Sequence, residues 1–346
     1  MRVGFDTTPL AVPHPPGVVR VVHGTLEALE AAGRLEVVRL SPTPGQGPRA
    51  FRASLPRVAR EQGLAGVHSF TSAFQPRGPG RRVQTIHECP WRHGVRENAG
   101  WRHRAWARLG PLLADAVVTP SEHTARDLGL RPQSSGGKGR VIPWGVEPRF
   151  APDPPLGEVD EVLLGRYRLP ERALVLCLGA TRAKKNLAAV LHGVAALHAR
   201  AGARVHLVVT GPDTPDLRRD LGLAQRLGLA RFLSTPGTVE EEHLPGLLRL
   251  ATAVPVLSHS EGFGLPALEA HACGTPAIVP IGSAAAEAAG PLALTCDPAD
   301  PESVADALAL AVERREDLRF EIPESVADRT WSRTAERVAD LWEELA

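Results

Sequence analysis

Short apolar runs alternate with longer stretches of helical spacing along most of the chain. Residues 2–6 form the first run, and 35–40, 66–70, 83–86, 116–119 and 141–142 follow it. Runs this short, without polar alternation, read as strands buried on both faces, which is the habit of a parallel sheet. Between them, residues 18–32 have helical spacing and stop at Gly33, and residues 51–62 read as a second helix behind a Pro/Gly loop at 42–48. Residues 7–17, rich in Pro and Gly, read as a loop. A second series of strands starts at 173–178, continues at 205–211 and near Phe232, and ends with 251–257 and 277–279. Helices are expected at 158–167, from the loop at 180–187 through about Ala201, up to Leu227, at 240–251 and after Asp300. A last amphipathic helix runs from Trp331 to Ala346, with Leu341 and Leu345 on one face. Strands alternating with helices imply an α/β fold with doubly wound parallel sheets, whose ligands bind outside the carboxyl ends of the strands.

Two strand-to-helix corners carry candidate chemistry. The first follows the run at 251–257 and reads Ser258-His-Ser-Glu261-Gly262-Phe263-Gly264-Leu265-Pro-Ala-Leu-Glu269. The two glycines punctuate a tight turn, Pro266 suits the first residue of a helix, and Gly274 before Pro276 stops it. Unpaired amides and the positive end of the helix dipole favour a phosphate at such a corner. Glu261 in the loop and Glu269, expected in the first turn, each offer two acceptors to a sugar diol. The second corner, Ala180-Thr-Arg182-Ala-Lys184-Lys185-Asn186, sets three cations at a helix N-terminus. Cations there oppose the macrodipole unless an anion lies between them, which points to a diphosphate. Together the corners describe a nucleotide sugar.

Glu261 to Glu269, with the Ala-Cys-Gly-Thr-Pro-Ala-Ile that follows, resembles the glutamate-x7-glutamate motif of retaining glycosyltransferases of family 4. The resemblance extends to almost the whole chain, densely over residues 173–300. It implies the GT-B fold: two Rossmann-like domains facing across a cleft, with the C-terminal helix crossing back to the first. The Pro-rich break at 147–155 then divides an acceptor-binding domain, 1–150, from a nucleotide-sugar-binding domain, 151–330, and 331–346 is the returning helix.

By the same resemblance, Glu269 holds the ribose and Glu261 the transferred sugar. Arg182, Lys184, Lys185 and the amides of Phe263, Gly264 and Leu265 meet the diphosphate, while Ser258, Gly262 and Gly211 complete the donor site. Thr85-Ile-His87-Glu88 resembles the family's strand-end His-Asp pair, which places His87 by the transferred sugar. Pro15-Pro16-Gly17 stands loosely where a Gly-rich turn meets acceptor and donor phosphate. Ser121 follows the run at 116–119 as a helix cap. Trp144-Gly-Val-Glu147 replaces the family's usual Asn-Gly-Val-Asp, so Trp144 would wall the cleft instead of making a polar contact. His87, Lys185 and Glu261 are the expected catalytic residues. The activity implied is a hexosyltransferase-type, retaining transfer from a nucleoside-diphosphate sugar to a sugar, lipid-linked or small-molecule hydroxyl acceptor, with no metal and no cofactor.

Composition narrows the partners. The 346 residues carry a formal net charge of +1, which argues against a dedicated nucleic-acid binder. No apolar stretch approaches the roughly 20 residues a spanning helix needs. A strand entered directly from Met1 leaves no room for a signal peptide, and Cys89, Cys177, Cys273 and Cys296 form no CxxC pair, so a cytoplasmic protein is expected. Lysine occurs only at 138, 184 and 185, which makes the pair at the second corner conspicuous. Between Arg77 and Arg108 eight arginines face two glutamates, with Trp91, Trp101 and Trp106 interleaved. This stretch reads either as a solvated helix face or, over 81–108, as a peripheral contact with the inner membrane face or an acidic acceptor. Trp91 is the expected acceptor residue within it. Two other classes compete: a non-hydrolysing sugar-nucleotide epimerase, and a degenerate GT-B protein that binds nucleotide sugar without turnover.

Overall fold

The computed structural model describes residues 1–130, 137–153, 160, 162–179, 181–200 and 204–346. Pro154, Pro155, Glu158, Ala180 and Ala201, which the expected linker, helices and second corner include, lie outside the described residues. The chain divides into two compact units, Met1–Glu147 with Arg329–Ala346, and Pro148–Asp328.

In the first unit the parallel strands are β1 (Arg2–Asp6), β2 (Glu36–Leu40), β3 (Gly66–Ser69), β4 (Arg81–Thr85), β5 (Ala116–Thr119) and β6 (Gly139–Val141). They lie in the order β2-β1-β3-β4-β5-β6. This is the flavodoxin-like order with one strand added, and its switch point falls between β1 and β3. Val3 and Phe5 are fully buried, as a strand covered on both faces requires.

The terminal helix, Trp331–Leu345, belongs to this unit and packs on the helix Pro16–Ala32. The contact is close because Gly24 lacks a side chain: a Cβ there would stand 2.4 Å from the Trp331 ring. Val146 and Thr330 form a parallel bridge, so the chain leaves the unit and re-enters it at adjacent points. All six tryptophans of the sequence lie in this unit, and the single tyrosine, Tyr167, lies in the other.

The second unit holds β7 (Leu174–Cys177), β8 (His206–Thr210) and β9 (Leu233–Gly237), ordered β9-β8-β7, and β10 (Val254–Pro255), β11 (Ala277–Pro280) and β12 (Leu294–Cys296), ordered β10-β11-β12. A parallel bridge between Val175 and Ala253 joins the two ladders, giving β9-β8-β7-β10-β11-β12. That is the Rossmann order, 3-2-1-4-5-6, with its switch point between β7 and β10.

Several local expectations change. Residues 7–17 are not a plain loop: Thr8–Ala11 is a short helix, and Gly17 sits in the first turn of Pro16–Ala32. Asp6 causes the first of these, because its Oδ1 accepts from the Thr8 amide at 2.9 Å and starts the turn. Of the run at 251–257 only Val254–Pro255 is a continuous strand, with Ala253 joined by a single bridge. Pro255 has no N–H to donate, and residues 252 and 253 bond irregularly to Leu174. The stretch 240–251 divides into a 3-10 turn, Glu241–His243, and the helix Leu244–Leu250. Strand β12, the 3-10 turn Pro90–His93 and the helix Arg315–Ser325 are additional, while the helix Trp101–Leu113 lies at the end of the Arg/Trp stretch read as a helix face.

Candidate active site

The second unit brings both predicted corners to the switch point of its sheet. After β7 the chain turns through a 3-10 segment, Ala183–Lys185, and Asn186 adopts a left-handed conformation before the helix Leu187–Ala199 begins. After β10 it turns through 258–264 into the helix Leu265–Ala272. The two loops are tied together. The His259 amide donates to the Lys184 carbonyl at 2.9 Å, and Lys185 Nζ donates to Glu261 Oε1 at 2.9 Å. Cys177, Gly179, Lys185, Val256, Ser258 and Pro266 line a pocket at this junction.

Burial alone would push the Glu261 carboxyl up. The ammonium groups of Lys185 and Lys184 outweigh it, and the carboxyl is held below the usual range. Among the described residues Lys185 spends one of its three donors, on Glu261, and two remain for an anion. Lys184 is buried, whereas Arg182 on the same loop is exposed. Behind the loop, the Ala183 amide donates to Asp216 Oδ2 at 3.0 Å and Thr214 donates to the Thr181 carbonyl at 2.8 Å, so the turn is braced from β8's side. Gly211, at the end of β8, donates its amide to Gly237 at 2.8 Å and is itself buried.

Gly264 precedes the helix with φ at 105°, and a Cβ there would meet Ala285 Cα at 2.6 Å. Glycine is therefore required twice, by the backbone and by the packing of the turn on the helix Ala284–Ala289. Phe263 and Ser258 are buried, and Leu265 and Pro266 are half-buried at the helix start. Glu269 lies in the second turn of its helix, because the helix begins at Leu265, and it is 2% exposed. The corner thus offers helix-start amides, a partly exposed ammonium and two carboxylates within one strand-loop-helix unit.

In the first unit, His87 follows β4. Its Nε2 donates to the Phe70 carbonyl at 2.8 Å, which leaves Nδ1 of the neutral ring as an acceptor. Burial lowers its pKa, with the Phe70 carbonyl opposing, so neutrality is the resting state. Trp144 is buried and packs its ring 5.8 Å from His87. Ser121 caps the helix Glu122–Asp127, its hydroxyl accepting from the Thr124 amide at 3.1 Å. Glu147 takes a bidentate pair of bonds from Arg20, both 2.7 Å. Trp91, half-buried in the turn Pro90–His93, stands edge-on to His103 at 4.9 Å.

Sequence reasoning passed over Asp6 and Arg52. Asp6 ends β1 with its carboxylate buried, and Arg52 Nε lies 3.4 Å from its Oδ2. An aspartate closing a strand before Thr7-Thr8-Pro9 is an Asx-turn signal that would have exposed it.

The pattern of the glycosyl transferases group 1 matches residues 166–324. A D-inositol 3-phosphate glycosyltransferase of Corynebacterium jeikeium is 31% identical over 323 residues, covering 86% of this chain and 76% of that protein. A second, of Catenulispora acidiphila, is 31% identical over 242 residues, covering 66% of this chain and 56% of that protein. The fold is similar to sucrose-phosphate synthase from Thermosynechococcus elongatus, with a TM-score of 0.77, 20% identity and coverage of 99% and 98%. It is also similar to HepE from Anabaena in complex with UDP, with a TM-score of 0.75, 16% identity and coverage of 99% and 100%. The chain belongs to the group 1 glycosyl transferases, of family 4 type, and its fold is GT-B.

Proposed function

We propose that the chain moves a sugar from a nucleoside-diphosphate sugar to a hydroxyl acceptor, with retention of anomeric configuration and without metal or cofactor. The observation that carries this reading is the Lys185–Glu261 pair, 2.9 Å apart at the switch point, beside the start of the helix Leu265–Ala272. A hydrolase acting on a neutral glycoside has no use for that cationic turn. A diphosphate leaving group does, because negative charge grows on it as the glycosidic bond breaks.

In this reading the free donors of Lys185, the Arg182 guanidinium and the amides of Phe263, Gly264 and Leu265 receive the diphosphate. Lys184 keeps Glu261 ionised, Glu261 accepts from hydroxyls of the transferred sugar, and Glu269 accepts from the ribose. Gly211, Gly262 and Ser258 shape the donor's surroundings. The bond from C1 to the phosphate oxygen breaks, the acceptor oxygen bonds to C1 on the same face, and the departing phosphate oxygen takes the acceptor's proton. His87 Nδ1 serves the transferred sugar as an acceptor, and Gly17 and Trp91 belong to acceptor recognition.

HepE is found with UDP, so uridine diphosphate and its sugars lead the donors to try. Two relatives are named for D-inositol 3-phosphate, so polyol phosphates lead the acceptors. Thermal shift of the purified chain with a panel of nucleoside diphosphates and their sugars, in chelator, tests the donor half. A rise of several degrees with one diphosphate and its conjugate is expected. No shift with any member would remove the reading. Transfer to an acceptor, with the product's anomeric configuration read by NMR, tests the rest.

The proposal includes a peripheral contact. Among the described residues no helix is long and apolar enough to cross a membrane. The helix Trp101–Leu113, however, exposes Trp101 at 74% and Leu112 at 73% beside Arg102, Arg104 and Arg108. Apolar side chains among cations suit an anionic bilayer surface. Co-sedimentation with anionic but not neutral vesicles, weakened in Trp101→Ser/Leu112→Ser, is expected. Equal recovery with both vesicle types would discard the contact.

A further inference from the structure

Among the described residues, one group of three metal-capable side chains converges: His93, His123 and Asp127 in the first unit. His123 and Asp127 are one turn apart on the helix Glu122–Asp127, so they share a face. His93 ends the 3-10 turn Pro90–His93, which follows β4, while the helix follows the neighbouring strand β5. Both imidazoles aim Nε2 at the same oxygen, Asp127 Oδ2, from 2.8 Å for His93 and 3.9 Å for His123. The rings stack at 5.1 Å with an interplanar angle of 22°. All three ligand atoms lie within 4.8 Å of one another, and each side chain is only partly exposed.

We infer that these residues form a site for one divalent transition-metal ion, zinc by the chemistry of its donors. An ion placed between them would take a lone pair from each imidazole and an oxygen of Asp127, the three side chains already converging from two separate elements. Bond lengths of about 2.0–2.2 Å to nitrogen and oxygen put tetrahedral ligands about 3.4 Å apart, midway between the two distances seen. Two imidazoles and one carboxylate are a borderline donor set that suits zinc and disfavours magnesium or calcium. Three protein ligands leave a fourth position for water.

The ion pins the turn carrying Trp91 to the helix capped by Ser121. That is a structural task within the first unit. It takes no part in the transfer step, and the inference does not rest on the transferase reading.

The test is calorimetric titration of the full-length, chelator-treated chain with zinc chloride alone, without nucleotide. One equivalent should bind, with affinity weakened at least tenfold in His93→Ala and in His123→Ala and unchanged in His198→Ala. Because His93→Ala removes a contact that also orders the turn, His123→Gln provides a second variant, checked for folding by circular dichroism. Cobalt substitution should give a visible absorption band of tetrahedral intensity in the wild type and lose it in His123→Gln. Absence of stoichiometric zinc binding, or equal affinity in the wild type and both folded variants, overturns the site.

Discussion

Glu261 stays ionised where burial argues against it, and the cause is Lys185 and Lys184. Removing the Lys185 ammonium should therefore raise the Glu261 pKa, which carboxyl-carbon NMR of Lys185→Ala can follow; an unmoved titration would show that the pair is not coupled. On the proposed activity the same variant should lose about 10²–10³-fold in kcat, the scale of one lost donor to developing charge. A near-wild-type rate in a steady-state assay would take Lys185 out of the step.

Two other titrating residues act on stability. Burial lowers His68 to about 3 and His271 to about 4, from an ordinary value of 6.5. Below about pH 6.5 the unfolded chain binds protons that the folded chain refuses, so stability falls with pH until the folded values are reached. The slope is on the order of 1.4 kcal/mol per pH unit for each histidine. His271→Leu should flatten the dependence of denaturation midpoint on pH between 6.5 and 4, and an unchanged slope would refute the assignment. Gly264→Ala is the sharpest single backbone test at this corner. The left-handed backbone alone costs about 1–3 kcal/mol, and the approach to Ala285 adds to it.

At the scale of elements, the terminal helix is the clearest energetic unit. It buries Trp331, Val338, Leu341 and Trp342, and Trp342 is fully enclosed. Trp342→Ala should cost about 3–5 kcal/mol in urea denaturation, and a loss under about 1 kcal/mol would contradict that enclosure. Much of this level was legible in the sequence. The run at 2–6 is β1 itself, Ser121 is a cap, and the terminal helix begins at Trp331 as its spacing predicts.

What was not legible is of one kind: it depends on partners distant in sequence or on backbone bonds that side-chain patterns do not encode. The run at 251–257 is apolar but for Thr252, yet its continuous strand is only Val254–Pro255, because residues 252 and 253 both bond to the Leu174 carbonyl instead of stepping along a ladder. The helix Thr8–Ala11 hides in a Pro/Gly-rich stretch because one Asp6 bond starts it. His93 lies 34 positions before Asp127, with no spacing motif to connect them. At the junction of the two corners of the second unit, Lys185 and Glu261 are 76 positions apart, and only the chemistry of each corner, taken alone, suggested that they serve one ligand.

At the scale of the molecule, one unit is continuous and the other is closed by a returning segment. Truncation after Asp328 removes the strand-like bridge at Thr330 and the whole terminal helix. Scanning calorimetry of that truncation should show the first unit's transition lost or sharply lowered, while nucleotide affinity in the second unit persists. If nucleotide affinity disappeared along with that transition, the units would not be independent in stability.

The separation of aromatic residues has a practical meaning. Indole emission, from all six tryptophans, comes entirely from the unit that does not contain the Lys185–Glu261 corner. The chain is therefore spectroscopically one-sided, dark on the side where a donor is proposed to dock and luminous on the other. A nucleotide that binds while the emission stays constant has acted locally. One that changes the emission has sent its influence into the first unit, and the protein carries its own detector for telling these cases apart.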